Sequence, residues 1–175
     1  MRTLVLDPRS AGLDEVLERR HRSGLDRFDE VWDGVLHVVP APSGEHGYIT
    51  HQLSLLLDGP ARAAGLFPAM GGFNLGDSEE DYRVPDGGLH REFPGGVWHP
   101  TAALVIEIVS PGDESWEKRP FYAMHHVAEM LIVDPANRAV HWLVLELEEG
   151  EYYPIERSGL IDLAPQELAE QIDWP

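Results

Sequence analysis

Apolar residues along this chain recur at two spacings, one helical and one alternating, and the changes between them divide it into elements. In LDEVLERRHR the residues Leu13, Val16, Leu17 and Arg20 fall at helical spacing, which predicts a helix from about Leu13 to Arg22 with a basic polar face. FDEVWDGVLHVVP reads as a β-hairpin, because Asp33-Gly34 tolerates positive φ between two runs of β-branched and aromatic side chains. Pro40 and Pro42 end its second strand, and Ser43 offers a cap to a helix whose apolar positions Ile49, Leu53, Leu56 and Leu57 repeat at i, i+4, i+7 and i+8. LFPAMGGFNLG predicts one strand with a break at Gly71-Gly72, followed by an acidic turn from Asp77 to Asp81. In YRVPDGGLH, Tyr82, Val84 and Asp86 alternate, so Asp86 is expected at a strand end that Gly87-Gly88 then bends, and Pro85 marks an edge or a terminus.

The pattern changes between Ala102 and Val109, where apolar residues run on without alternation, as in a strand covered on both faces. Glu107 interrupts that run. A carboxylate there is costly to bury bare, so it requires a cation, hydrogen-bond donors or a metal. Ser110, Pro111 and Gly112 end the strand, and a helix is expected to begin near Ser115 because Pro120 is tolerated only in a first turn. On that helix Lys118, Tyr122 and His125 share one face, and Phe121, Met124 and Ala128 the neighbouring one. The second set is expected to pack on the sheet and leave the first at its rim. EMLIVDP and RAVHWLVLEL predict strands around a turn at Pro135-Ala136-Asn137, EYYPI a further strand, and PQELAEQI a short helix opened by Pro165. This order indicates an α/β or α+β domain with one central mixed β-sheet flanked by helices.

With 175 residues and no internal repeat, the chain is read as a single domain over 1–175, with an N-terminal helical segment at 1–27 and the C-terminal helix at 165–175. It contains no cysteine, which excludes disulfides and thiolate-held zinc. MRTLVLDPRS is interrupted too early for a signal peptide and no apolar run reaches spanning length, so a soluble cytoplasmic protein is expected. The net charge of -18 repels polyanions and disfavours nucleic acid as a partner. Arg19, Arg20, Arg22 and Arg27 form the one local basic cluster; they could contact phosphates, although a solvated helix face is the simpler reading.

Asp86 and Glu107, each at a strand end, would form with a main-chain carbonyl an oxygen-rich site for Mg2+ or Mn2+. Twelve arginines stand against one lysine, Lys118, so lysine at that position carries information. Its ammonium is compact and its pKa can be lowered by burial, which suits an acid, a base or a charge stabiliser in metal-assisted phosphodiester hydrolysis. Glu45 and His46 fall in the first turn of the helix after Ser43. A carboxylate suits that positive helix end, and a place at a metal site is the alternative. His46 and His51 are five residues apart and cannot form an i, i+4 zinc pair.

The blocks GVLHVVPAPSGEHGYITHQL, YRVPDGGL and LVIEIVSPGDESWEKRPFYAMHHVAEMLIVDP resemble those of the Uma2 family, formerly DUF820, of the PD-(D/E)xK nuclease-like superfamily. The similarity runs from about Asp29 to Arg138. It implies a restriction-endonuclease-like core in which Pro85-Asp86 is the PD element and Glu107-Ile108-Val109 the (D/E)xK element, with Val109 where the lysine would stand. The resemblance matches that lysine to Lys118 on the following helix, and it draws His46, Ser110 and Tyr122 into a supporting shell. It also sets His126 where relatives carry glycine. The implied function is a metal-dependent endonuclease acting on nucleic acid, DNA first, with Asp86, Glu107 and the carbonyl of Ile108 on the metal, Lys118 positioning the water, and a homodimer as the assembly.

Other classes fit less of the chain. PGGVWH, from Pro94 to His99, has the spacing of a second cupin motif, but no His-x-His supplies the first. No G-x-S-x-G elbow is present for a serine hydrolase, and Ser110 precedes a proline. The remaining alternative is a non-catalytic dimeric binding module that keeps the fold and the acidic cleft.

Overall fold

The computed structural model describes residues 4–6, 13–112 and 114–175, with side chains from residue 14 onward. The start of the chain, where no signal peptide is expected, lies largely outside the described residues, as does the side chain of Leu13. In chain order the elements are β1 (Leu4–Leu6), α1 (Leu13–Arg22), β2 (Glu30–Trp32), β3 (Val35–Val38), α2 (Gly44–Ala63), β4 (Phe67–Met70), β5 (Asn74–Ser78) and β6 (Asp81–Arg83). There follow β7 (Gly87–His90), β8 (Trp98–His99), β9 (Leu104–Ile108), α3 (Arg119–Met124), β10 (Glu129–Asp134), β11 (Ala139–Glu146), β12 (Glu151–Pro154) and α4 (Pro165–Gln171). The mixed α+β class read from the sequence is the one observed. The described strands divide into two six-stranded sheets, ordered β1-β3-β2-β6-β5-β8 and β12-β11-β10-β9-β7-β4. Both are mixed, because β5 runs parallel to β8 and β9 parallel to β10 within otherwise antiparallel ladders.

The second sheet is the central one. Alternation along β9 sends Leu104, Ile106 and Ile108 to one face, where they pack with Ile49, Leu53 and Leu57 of α2 and Leu168 of α4. Val105 faces the opposite way, into a second cluster with Met130, Ile132, Leu143, Phe121 and Tyr122 of α3 and Leu75 of the first sheet. Glu107 shares the parity of Val105. It therefore points into the space between α3 and the two sheets, where the next charged residues lie.

Several local expectations meet the structure directly. Asp33 (φ 49°) turns the β2-β3 hairpin, and the Ser43 side chain accepts a hydrogen bond from the His46 N–H at 3.1 Å to cap α2. Three others differ. LFPAMGGFNLG is two strands in different sheets, since Gly71 and Gly72 at φ 91° and 87° turn the chain from β4 in the second sheet to β5 in the first. Asp86 stands before β7 and not at the end of a strand that glycines bend; the chain crosses between sheets at Val84-Pro85 and the glycines lie inside β7. There a Cβ on Gly88 would come within 2.7 Å of the Leu104 carbonyl oxygen.

The third difference concerns α3, which spans six residues with Lys118 as its N-cap. Its faces follow the expectation only in part: Phe121 packs in the core as expected, but Tyr122 is fully buried and Lys118 largely so, whereas Met124 is 63% exposed. A helix of under two turns wedged between two sheets is covered on both flanks, and Glu107 draws the lysine and the tyrosine inward. His126 adopts φ 54°, a backbone conformation that glycine favours. At the other end of the chain, Arg20 of α1 is committed to structure: it pairs with the buried Asp29 at 2.7 Å and donates to the carbonyls of Leu25 and Val39. Among the described residues no helix is long and apolar enough to cross a membrane.

Candidate functional site

The site forms where three elements converge on Glu107. Antiparallel pairing of β7 with β9 sets Gly87 opposite Ile106, and one further step in that register sets Asp86 opposite Glu107. Asp86 is fixed in place from three directions. Its Oδ2 accepts from the Ile108 N–H at 2.8 Å, its Oδ1 lies 3.1 Å from His46 Nε2, and its main-chain carbonyl accepts from the Gly71 N–H at 3.0 Å. The C=O of a strand residue points to the same side as its N–H, so the Ile108 carbonyl is directed toward the Asp86 side of the strand.

Glu107 is 2% exposed and accepts a hydrogen bond from the Tyr122 hydroxyl. Lys118 Nζ lies 3.2 Å from its carboxylate and 2.8 Å from Oε1 of Glu30, which reaches the same point from β2 in the other sheet. Glu30 is the functional residue that sequence reasoning missed. As the first residue of a hairpin strand, next to Asp29, it has no local feature that separates it from surface acids; pairing with the solitary lysine was the only available clue.

Two carboxylates, Glu30 and Glu107, thus pair with one ammonium, and the charge of Asp86 lies near enough to act on it. Burial pushes the Glu107 carboxyl up to about 8; Lys118 opposes the rise, and Asp86 and Glu30 add to it. Lys118 is raised as well, because although burial disfavours its charge, Glu107 and Glu30 outweigh that cost. This corrects the expectation of a lysine lowered by burial: Lys118 is held as a cation, not poised as a base. Burial, followed by the charges of Glu107 and Glu30, raises the Tyr122 hydroxyl well above its ordinary range, so it acts as a neutral donor.

These groups open onto a cavity of about 330 Å³ whose lining includes Glu30, His46, Asp86, Glu107, Ser110 and Lys118, with an apolar wall of Phe28, Val39 and Pro40 opposite. Seven of the sequence-derived residues, Asp86, Glu107, Ile108, Lys118, His46, Ser110 and Tyr122, gather here, Tyr122 from behind Glu107. Glu45 does not join them. One residue along α2 from His46 is a rotation of about 100°, which leaves Glu45 exposed at the positive helix end.

The donor set consists of hard oxygens with negative charge in excess of the single ammonium, which fits a divalent cation. Among the described residues no three Asp, Glu or His side chains close on one point as a complete cage. Two carboxylates and a carbonyl, with water and a substrate oxygen filling the other positions, suit an ion that keeps part of its hydration shell.

Comparison with known proteins gives one family and one fold. The model of the Uma2 family, described as "Putative restriction endonuclease", matches residues 15–173. The structure is similar to a crystal structure described as that of a putative nuclease belonging to DUF820 from Anabaena variabilis, with a TM-score of 0.63 and 16% sequence identity over 82% of this chain and 90% of that one. No curated protein matches the chain.

Proposed function

This chain belongs to the Uma2 family, and from that premise we propose that it is a divalent-cation-dependent phosphodiesterase acting on nucleic acid, DNA first, through the cavity between its two sheets. The observation that carries the reading is the meeting of Asp86, just before β7, and Glu107 of β9 with the charged Lys118 in one cavity. Asp86, Glu107 and the Ile108 carbonyl would hold the ion, Mg2+ or Mn2+. When bound, such an ion polarises the phosphoryl group and makes water a stronger nucleophile.

The chain's own residues supply orientation and charge. The Ile108 N–H and His46 fix the Asp86 carboxylate, and the Tyr122 hydroxyl fixes that of Glu107, so neither has to reorganise when a substrate arrives. Lys118 has three N–H donors, of which Glu30 and Glu107 take two. The third serves the cavity, where it can orient a water or neutralise charge growing on a phosphoryl oxygen. Removal of one such preorganised donor costs roughly 100- to 1,000-fold in kcat.

The test is incubation with supercoiled plasmid and with short single- and double-stranded oligonucleotides, with Mg2+ or Mn2+, beside Glu107→Gln and Lys118→Ala. Cleavage by the wild type that both variants lose supports the reading. Wild-type activity no greater than that of the variants on every substrate overturns it in favour of a binding module.

A further inference from the structure

Glu30 enters the site from the sheet opposite to that of Glu107, and its carboxylate is fully oriented by neighbours other than the lysine. Oε2 accepts from Trp32 Nε1 at 2.7 Å, and Oε1 accepts from the Val84 N–H at 2.8 Å. The Trp32 ring is itself clamped: it stacks on His37 with centroids 4.3 Å apart, and the Arg83 guanidinium lies 4.3 Å from its centroid. His37 is held in turn by Glu114 at 2.9 Å. Glu30 and His37 are buried, Glu30 to 2% exposure, while Trp32 and Glu114 remain partly exposed. A carboxylate fixed at both oxygens in a buried setting is a stationary acceptor, and Lys118 Nζ approaches it more closely, at 2.8 Å, than it approaches Glu107, at 3.2 Å.

We propose that Glu30 is a positioning residue of this site, fixing the Lys118 ammonium in the cavity and tying it to the segment that carries Asp86. Its Oε1 is shared between Lys118 and the Val84 N–H, two residues ahead of Asp86, so the lysine and the segment leading into the aspartate are anchored on a single atom. Glu107 alone would not do this. A carboxylate that also serves a cation has less electron density to offer an ammonium, whereas Glu30 stays committed to Lys118. The catalytic consequence rests on the phosphodiesterase reading; the placing of Lys118 does not.

Lys118 is the single lysine of the chain, so protein labelled with 13C- and 15N-lysine yields one set of side-chain resonances. They are to be recorded without added metal for the wild type, Glu30→Gln, which keeps the shape, and Glu30→Asp, which keeps the charge but withdraws it by one methylene. The wild type is expected to show two separate ε-proton shifts and relaxation like that of the backbone. In Glu30→Gln the two shifts converge and the signal sharpens toward that of an exposed lysine, with Glu30→Asp intermediate. In turnover, kcat falls at least tenfold while KM and Mn2+ affinity stay within twofold. A Lys118 signal as ordered in both variants as in the wild type overturns the proposal. Where Glu30→Gln fails to fold, as judged by melting, the Glu30→Asp resonances decide. If the wild type cleaves nothing, the phosphodiesterase reading fails, and the resonances still decide whether Glu30 fixes the lysine.

Discussion

Glu107 concentrates the electrostatic tension of the molecule at one residue, and its protonation has a definite sign. Its folded pKa, about 8, lies above the ordinary 4.5, so the folded protein holds this proton more tightly than the unfolded chain does. The stabilisation is fully present below about pH 4.5 and is lost as pH rises through about 8. Thermal melts in a chelator are therefore expected to show a contribution that declines from pH 5 to pH 9 and that Glu107→Gln flattens; an unchanged slope in the variant contradicts it. A divalent ion held by Glu107, as proposed, would have to displace the same proton. Calorimetric titration should show affinity rising by up to about tenfold per pH unit below pH 8 and levelling above it, with proton uptake by the buffer. Replacement of Lys118 by methionine leaves Glu30 and Glu107 without their cation, which is expected to cost about 3–5 kcal/mol in urea unfolding above pH 8. Glu107 and Lys118 were legible in the sequence because each is an exception, an acid in an apolar run and a lysine among arginines. Glu129 was not. It is as buried as Glu107, but Trp142, Ser158 and Gly159 satisfy it with neutral donors that arrive from distant segments.

Among the elements, the apolar pattern located α1, the β2-β3 hairpin, α2, and β9 to β12, although on α1 the apolar Val16 stays 39% exposed. It failed where neighbours decide. The inward face of α3 is set by Glu107 and by sheets on both flanks, which no helical wheel contains. The glycine pair at Gly71-Gly72 reads as a break within one strand, although the chain changes sheets there. Close approach explains the glycines of β7 better than bending does, so Gly88→Ala is expected to lower stability by about 1–3 kcal/mol, as the new Cβ meets the Leu104 carbonyl oxygen. A melting temperature equal to that of the wild type would show that the strands can separate to admit it. His126→Gly, at a positive φ and an exposed position, is expected to leave stability unchanged or raise it by up to about 1 kcal/mol in the same assay.

For the whole molecule, the charge of -18 sets how a polyanion approaches the cavity. Two like-charged partners repel at long range, and added salt screens that repulsion. Hydrolysis at saturating divalent ion is therefore expected to speed up between about 10 and 150 mM monovalent salt, opposite in sign to a binder that gains affinity by releasing counterions. The central claim is that Asp86 and Glu107 together hold the ion on which cleavage depends. Its most direct test is the initial rate of oligonucleotide cleavage against Mg2+ concentration for wild type, Asp86→Asn and Glu107→Gln prepared side by side. The expected result is a saturable rate for the wild type that falls to zero in chelator and is at least about 100-fold lower in both variants. Equal rates in all three proteins, or a wild-type rate that does not respond to the ion, would contradict it.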